Sequence, residues 1–192
     1  MKPITIVAGF GRCGSSLVMQ MLAAGGMPTP YSEYPSYEVQ NGTQLLIAKL
    51  YGAAIKTLDP HINRPPPGLP YRFIWIDRDP VEQAKSMVKF VGAVSNVKLK
   101  GDAVATLAAS FKKDRPKANA VMLHYAKCHQ ILKLKFEEIL ADPAGTAKKL
   151  HDFCGGKLDE AAMAAAVRPR GPECLPYLME FEQMAEVEKQ NG

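Results

Sequence analysis

The sequence predicts an α/β fold of the three-layer, P-loop-like kind, with a central parallel sheet covered by helices. Three observations carry this reading. Short apolar runs rich in β-branched residues recur at 4–8, 53–58, 72–77 and 131–136. Segments of helical period lie between them, which is the alternation a parallel sheet needs for its crossovers. The first run also opens directly into a glycine-rich turn, residues 9–16, followed by a helix.

Along the chain, residues 4–8 read as a buried strand and are too short for a signal-peptide core. Residues 15–24 show helical periodicity through Leu17, Met21 and Leu22, and Gly25, Gly26 and Pro28 stop that helix. A loop rich in Tyr, Pro and Ser follows to residue 37, then a helix over 38–50 and the second strand. Residues 64–70 hold four prolines and one glycine and read as a stiff connection. The third strand, 72–77, is apolar enough to be buried on both faces. Pro80 then opens a helix at its first turn, expected to reach about residue 90. After a loop over 92–101, two helices are expected over 102–113 and 116–128, and then the fourth strand. Helices over 143–154, 158–166 and 173–189 complete a chain read as a single domain of 192 residues.

Composition narrows the function classes. Hydrophobic residues at 47% and charged residues at 22% are those of a globular protein, which excludes disordered, collagen-like and coiled-coil chains. No apolar run approaches the ~20 residues of a membrane span. Cys13, Cys128, Cys154 and Cys174 are dispersed, without a Cys-x-x-Cys pair, which suits a reducing cytoplasmic address and argues against a disulfide framework or structural zinc. The net charge of +5 is too mild and too dispersed for a nucleic-acid partner, yet suits a small polyanionic ligand.

The turn Gly9-Phe10-Gly11-Arg12-Cys13-Gly14-Ser15-Ser16 is the strongest local signal. A strand–turn–helix of this kind presents successive backbone N–H groups and the positive end of a helix to an anion. Gly11 and Gly14 permit close approach, Arg12 adds a permanent charge, and Ser15 and Ser16 add hydroxyls. The glycine spacing is that of a Walker A loop, but Ser15 stands where that loop needs Lys. Asp77, at the end of a strand, mimics a Walker B carboxylate, though Arg78 follows it at once. A second anion site is suggested by Arg78-Asp79-Pro80 and Ser86, at the strand end and first helical turns.

Taken together, the two motifs resemble the sulfotransferase family, which uses 3′-phosphoadenosine 5′-phosphosulfate (PAPS). In that family a glycine-rich turn with a basic residue binds the 5′-phosphosulfate, and an Arg-x-Pro segment with a later Ser binds the 3′-phosphate. Residues 9–16 and 78–86 match them in order and spacing, with Cys13 where Ser is commoner and Glu82 where Asp is commoner. Phe136-Glu137-Glu138-Ile139-Leu140-Ala141-Asp142-Pro143 resembles another segment of the family, and the likeness to its bacterial branch runs over about residues 4–156. Arg168-Pro169-Arg170-Gly171 is a weaker match to a C-terminal contact with the 3′-phosphate.

The resemblance implies roles. Gly11, Arg12, Cys13, Gly14, Ser15 and Ser16 would hold the 5′ end of the donor, and Arg78 and Ser86 its 3′-phosphate. Arg12 would also neutralise charge on the leaving oxygen, and Lys56 could help hold the sulfuryl group. Glu38 is the first choice for the base on the acceptor, with Glu33 and His61 as rivals. No metal is implied, and the partners are the small-molecule donor and an acceptor hydroxyl or amine. A P-loop kinase or NTPase and a non-catalytic adenosine-bisphosphate-binding module are the alternatives.

Overall fold

The computed structural model describes residues 2–30, 50–95 and 101–168. Its centre is a four-stranded sheet of β1 (Ile4–Gly9), β2 (Ala54–Leu58), β3 (Tyr71–Asp77) and β4 (Ile131–Lys135). The order is β2-β1-β3-β4 and every pairing is parallel. β1 is buried at all six positions, as a central strand covered on both faces must be. The expected α/β class with a parallel sheet is therefore present.

Chain order and spatial order part company between β1 and β3. From β1 the chain runs through α1 (Ser15–Ala24) outward to β2, then returns to the other side of β1 as β3. From β3 it passes through α2 (Pro80–Ser95) and α3 (Ala103–Tyr125) to β4. One core therefore joins Val7, Ile74 and Ile76 to Leu17, Val18 and Met21 of α1. The opposite core joins Ile6, Phe73 and Trp75 to Ala84 of α2 and to Ala108, Phe111, Ala118 and Met122 of α3. A sheet whose crossovers leave toward opposite faces has a crevice at the strand carboxyl ends where they diverge. Here that crevice lies between Gly9 and Asp77.

The remaining helices are α4 (Phe136–Ala141), α5 (Pro143–Phe153) and α6 (Glu160–Ala165). Asp142 ends α4 and caps α5, its carboxylate accepting the Gly145 N–H at 2.8 Å. Met163 of α6 packs under α1, and the Asp159 N–H donates to Gly25 O at 3.1 Å. At the amino end of the sheet, Arg72 Nε donates to Thr5 Oγ1 (2.7 Å) and Nη1 to Phe153 O (3.0 Å), tying β3, β1 and α5 together.

Three expectations need correction. The helices expected over 102–113 and 116–128 are one helix, α3, that runs through Pro116. Proline there removes the donor to the Lys112 carbonyl, but Phe111 and Ala118 on either side are buried in the core and hold the helix together. Residue 136 starts a helix rather than ending a strand, so α4 goes unforeseen. α2 reaches Ser95 rather than about 90. The helix expected over 38–50, except for Leu50 itself, and the one expected over 173–189 lie outside the described residues.

Candidate active site

β1 and β3 are neighbours, so the segments that leave their carboxyl ends meet. Arg78 Nη1 donates to the Arg12 carbonyl at 2.9 Å, joining two motifs 66 residues apart. The structure thus brings together the two groups of candidate residues that the sequence singles out.

Within the turn after β1, two residues have left-handed backbone, Arg12 (φ 65°) and Gly14 (φ 101°). For a side-chain-bearing residue this conformation costs roughly 1–2 kcal/mol, so Arg12 is held by its surroundings. Its guanidinium lies 4.7 Å over the Phe90 ring of α2. Gly14 precedes α1, and the Phe136 ring fills the space a Cβ would take there. Cys13 is fully buried with its thiol turned into the core, and burial pushes that thiol up from its ordinary value against smaller effects of Ser15 and Lys56. Its N–H donates to Phe10 O at 3.1 Å. The Cys13 side chain therefore packs in the core. Ser15 is also buried. Ser16 Oγ accepts from Lys56 Nζ at 3.0 Å, and Lys56 is itself only 2% exposed on β2. An ammonium so deeply buried is costly unless hydrogen-bonded to polar groups. Lys56 reaches the same helix start that a Walker lysine would reach from within the loop.

The segment after β3 works through side chains. Asp79 Oδ1 accepts the N–H groups of Val81 (2.9 Å) and Glu82 (3.0 Å), capping α2. The Arg78 guanidinium lies 4.5 Å over Phe136, the ring that also meets Gly14. Ser86 is buried, and among the described residues its Oγ has no hydrogen-bond partner. Glu82 is exposed and pairs with Lys85 at 2.7 Å. Gln83, which the sequence reading passed over, is 2% exposed and donates from Nε2 to Phe10 O (3.0 Å) and Gly11 O (2.8 Å).

On the other side of the turn, Phe10 gathers an aromatic cluster. Trp75 and His61 meet it edge-on at 5.4 and 5.7 Å, and Phe111 stacks on it at 5.6 Å. His61 Nε2 is 3.9 Å from Asp114 Oδ2, and its buried Nδ1 has no hydrogen-bond partner among the described residues. A hydrogen bond from Lys117 is the main cause that lowers the Asp114 carboxyl below its ordinary range. Asp77 accepts from Trp75 Nε1 at 2.9 Å and pairs with Arg115 at 2.9 Å. Asp114 and Arg115 went unnoticed because both sit in the middle of a helix with no motif around them. Glu38 and Glu33 lie outside the described residues, as do 169–171, while Arg168 is exposed. Among the described residues no group of three His, Cys, Asp or Glu side chains is placed to hold a metal ion. No described helix is long and apolar enough to cross a membrane.

Solved structures with this architecture decide the fold. Retinol dehydratase, in complex with androsterone and the inactive cofactor PAP, matches with TM-score 0.60 at 16% identity, over 98% of this chain and 80% of that one. The fold is a sulfotransferase fold. A mouse sulfotransferase complexed with PAP matches with TM-score 0.59 at 18% identity, over 95% of this chain and 65% of its own. A sulfotransferase from Alicyclobacillus acidocaldarius matches with TM-score 0.51 at 13% identity, over 99% and 96% of the two chains. In sequence, residues 71–160 match the model of the sulfotransferase family. No curated protein is recognisably similar in sequence. The family match begins at β3 and includes Arg78 and Ser86 but not the turn at 9–16. In this sulfotransferase fold the turn is joined to the matched segment by the Arg78–Arg12 hydrogen bond and by Gln83.

Proposed function

We propose that the chain is an enzyme that moves a sulfuryl group from PAPS to a hydroxyl or amine acceptor. The observation that carries the proposal is the junction of two arginine-bearing segments at the switch point of the sheet, with Arg78 bonded to the Arg12 carbonyl. Relatives of this fold crystallised with PAP support the same reading. The residues fit a nucleotide with two phosphates. A helix start with Arg12, Ser16 and Lys56 suits the 5′ end, and Arg78 with the unpartnered buried hydroxyl of Ser86 suits the 3′-phosphate.

When bound, PAPS supplies an activated sulfuryl group on a 5′-phosphate. The acceptor oxygen or nitrogen forms a bond to sulfur while the bond to the 5′-phosphate oxygen breaks, and the bisphosphate leaves. The chain contributes alignment and positive charge. Arg12 and Lys56 stabilise negative charge at the leaving oxygen, and the amides of Gly11, Arg12 and residues 14–16 hold the phosphate. The acceptor's proton goes to Glu38, or to one of its rivals Glu33 and His61. His61 stands beside Phe10 at the mouth of β2. His61→Gln then lowers kcat by about a hundred-fold or more with unchanged donor affinity if His61 is the base. Unchanged kcat leaves the role to Glu38 or its rival Glu33. Cys13 and Cys154 are free thiols, in keeping with a cytoplasmic address.

Calorimetric titration with 3′,5′-adenosine bisphosphate, with 5′-AMP and Mg-ATP in parallel, tests the reading. Metal-independent binding of the bisphosphate is the expected result. Binding of Mg-ATP without the bisphosphate would replace it with a kinase or NTPase.

A further inference from the structure

We infer that Gln83 is a positioning residue that sets the direction of the amides in the anion-binding turn, an inference that rests on the donor-site reading above. Gln83 lies one turn into α2, buried at 2% exposure, with its carboxamide against the outside of the turn. Phe10 O and Gly11 O, at 3.0 and 2.8 Å, can only accept hydrogen bonds, so the group facing them is the NH2 with its two hydrogens. One side chain thus satisfies two consecutive carbonyls.

Peptide geometry gives this its consequence. In a planar trans peptide the N–H points opposite to the C=O of the same unit. Drawing Phe10 O and Gly11 O toward Gln83 directs the N–H groups of Gly11 and Arg12 the other way, toward the crevice. Arg78 Nη1 takes the next carbonyl, Arg12 O, while the N–H of that unit, from Cys13, closes the turn on Phe10 O. If the first two units rotated, carbonyl oxygens would face the ligand and repel its phosphate. Gln83 shares one helix face with Ser86 and Met87, at i+3 and i+4. The Met87 methyl fills the space beside Gly11 that a Cβ would take. This face of α2 therefore connects the 3′-phosphate group of residues to the amides that serve the 5′-phosphate.

The experiment compares Gln83→Met, which keeps length and volume but has no donor, with Gln83→Glu, which sets a carboxylate against two carbonyls. Calorimetry with 3′,5′-adenosine bisphosphate, 5′-AMP and 3′-AMP separates the phosphates. Q83M is expected to weaken both ligands that carry a 5′-phosphate roughly ten-fold or more, Q83E further, with 3′-AMP affinity held. Equal weakening of all three ligands, or no weakening, would overturn the inference and leave the donor site standing. A wild-type protein that binds no bisphosphate would overturn the donor site and the inference together. If neither variant folds, amide shifts of the wild type on titration with inorganic phosphate decide the matter. Gly11 and Arg12 N–H signals are expected to move strongly and Cys13 to stay. Unmoved Gly11 and Arg12 signals would overturn the inference.

Discussion

The two halves of the candidate site are built in different ways. The turn after β1 turns two of its distinctive side chains inward, with Cys13 and Ser15 buried, and offers amides and a helix end outward. The segment after β3 keeps its backbone in an ordinary capped helix start and offers Arg78 and Ser86. A motif letter thus means different things in each half. In the first it records what the backbone can adopt, and in the second what the side chain can reach.

The comparison breaks most visibly at Gly14. Gly14→Ala adds a Cβ to a residue at φ 101°, in space taken by the Phe136 ring. The backbone alone costs roughly 1–2 kcal/mol, and the displaced ring also supports Arg78. Bisphosphate and 5′-AMP binding are both expected to be lost in calorimetry, with a lower melting temperature.

Arg78→Ala attacks the other half, with an expected loss of about ten- to a hundred-fold for the bisphosphate. The loss for 5′-AMP should be much smaller, because that ligand lacks the 3′-phosphate. Similar losses for both would mean that the hydrogen bond to Arg12 O, rather than the ligand contact, is the main role of Arg78.

Cys13 gives the smallest effect. Because its thiol faces the core, Cys13→Ser should leave bisphosphate affinity unchanged by calorimetry, whereas a ligand contact would make it move. A pH series on stability sharpens the point. Burial raises Cys13 and Cys154 above 9.0, and raises Tyr71 from 10.0 to about 12. The folded state therefore keeps protons that the unfolded chain gives up. This contribution is complete below about pH 9 and is lost as pH climbs through the folded values. The melting temperature should fall above pH 9, and less steeply in Cys13→Ser.

The sheet was legible because its strands are continuous apolar runs between turn residues, a pattern that depends little on distant contacts. α3 was not, since Pro116 normally divides a helix and only the burial of Phe111 and Ala118 shows why it does not here. Phe136 reads as strand because it is aromatic and extends an apolar run, yet it becomes the first residue of α4. Arg12 and Arg78 were legible by charge at motif positions. Gln83 is uncharged and falls at an unremarked motif position. The trace it leaves is a polar residue on the helix face that carries Ala84 and Ser86 inward. Asp114 and Arg115 acquire meaning only when α3 is laid across the sheet.

Asp77 bears on how far this scaffold stands from nucleotide triphosphate chemistry. Its carboxylate is held between the Trp75 indole and the Arg115 guanidinium. A designer who installs lysine at position 15 would restore one Walker element and still find Asp77 Oδ1 engaged by both of these partners. Freeing Asp77 means removing Arg115 and giving the indole another acceptor, two further changes inside a packed aromatic cluster. The route from this protein to a triphosphatase is therefore several coupled substitutions long, and turning Asp77 away would leave the buried Trp75 N–H without its acceptor.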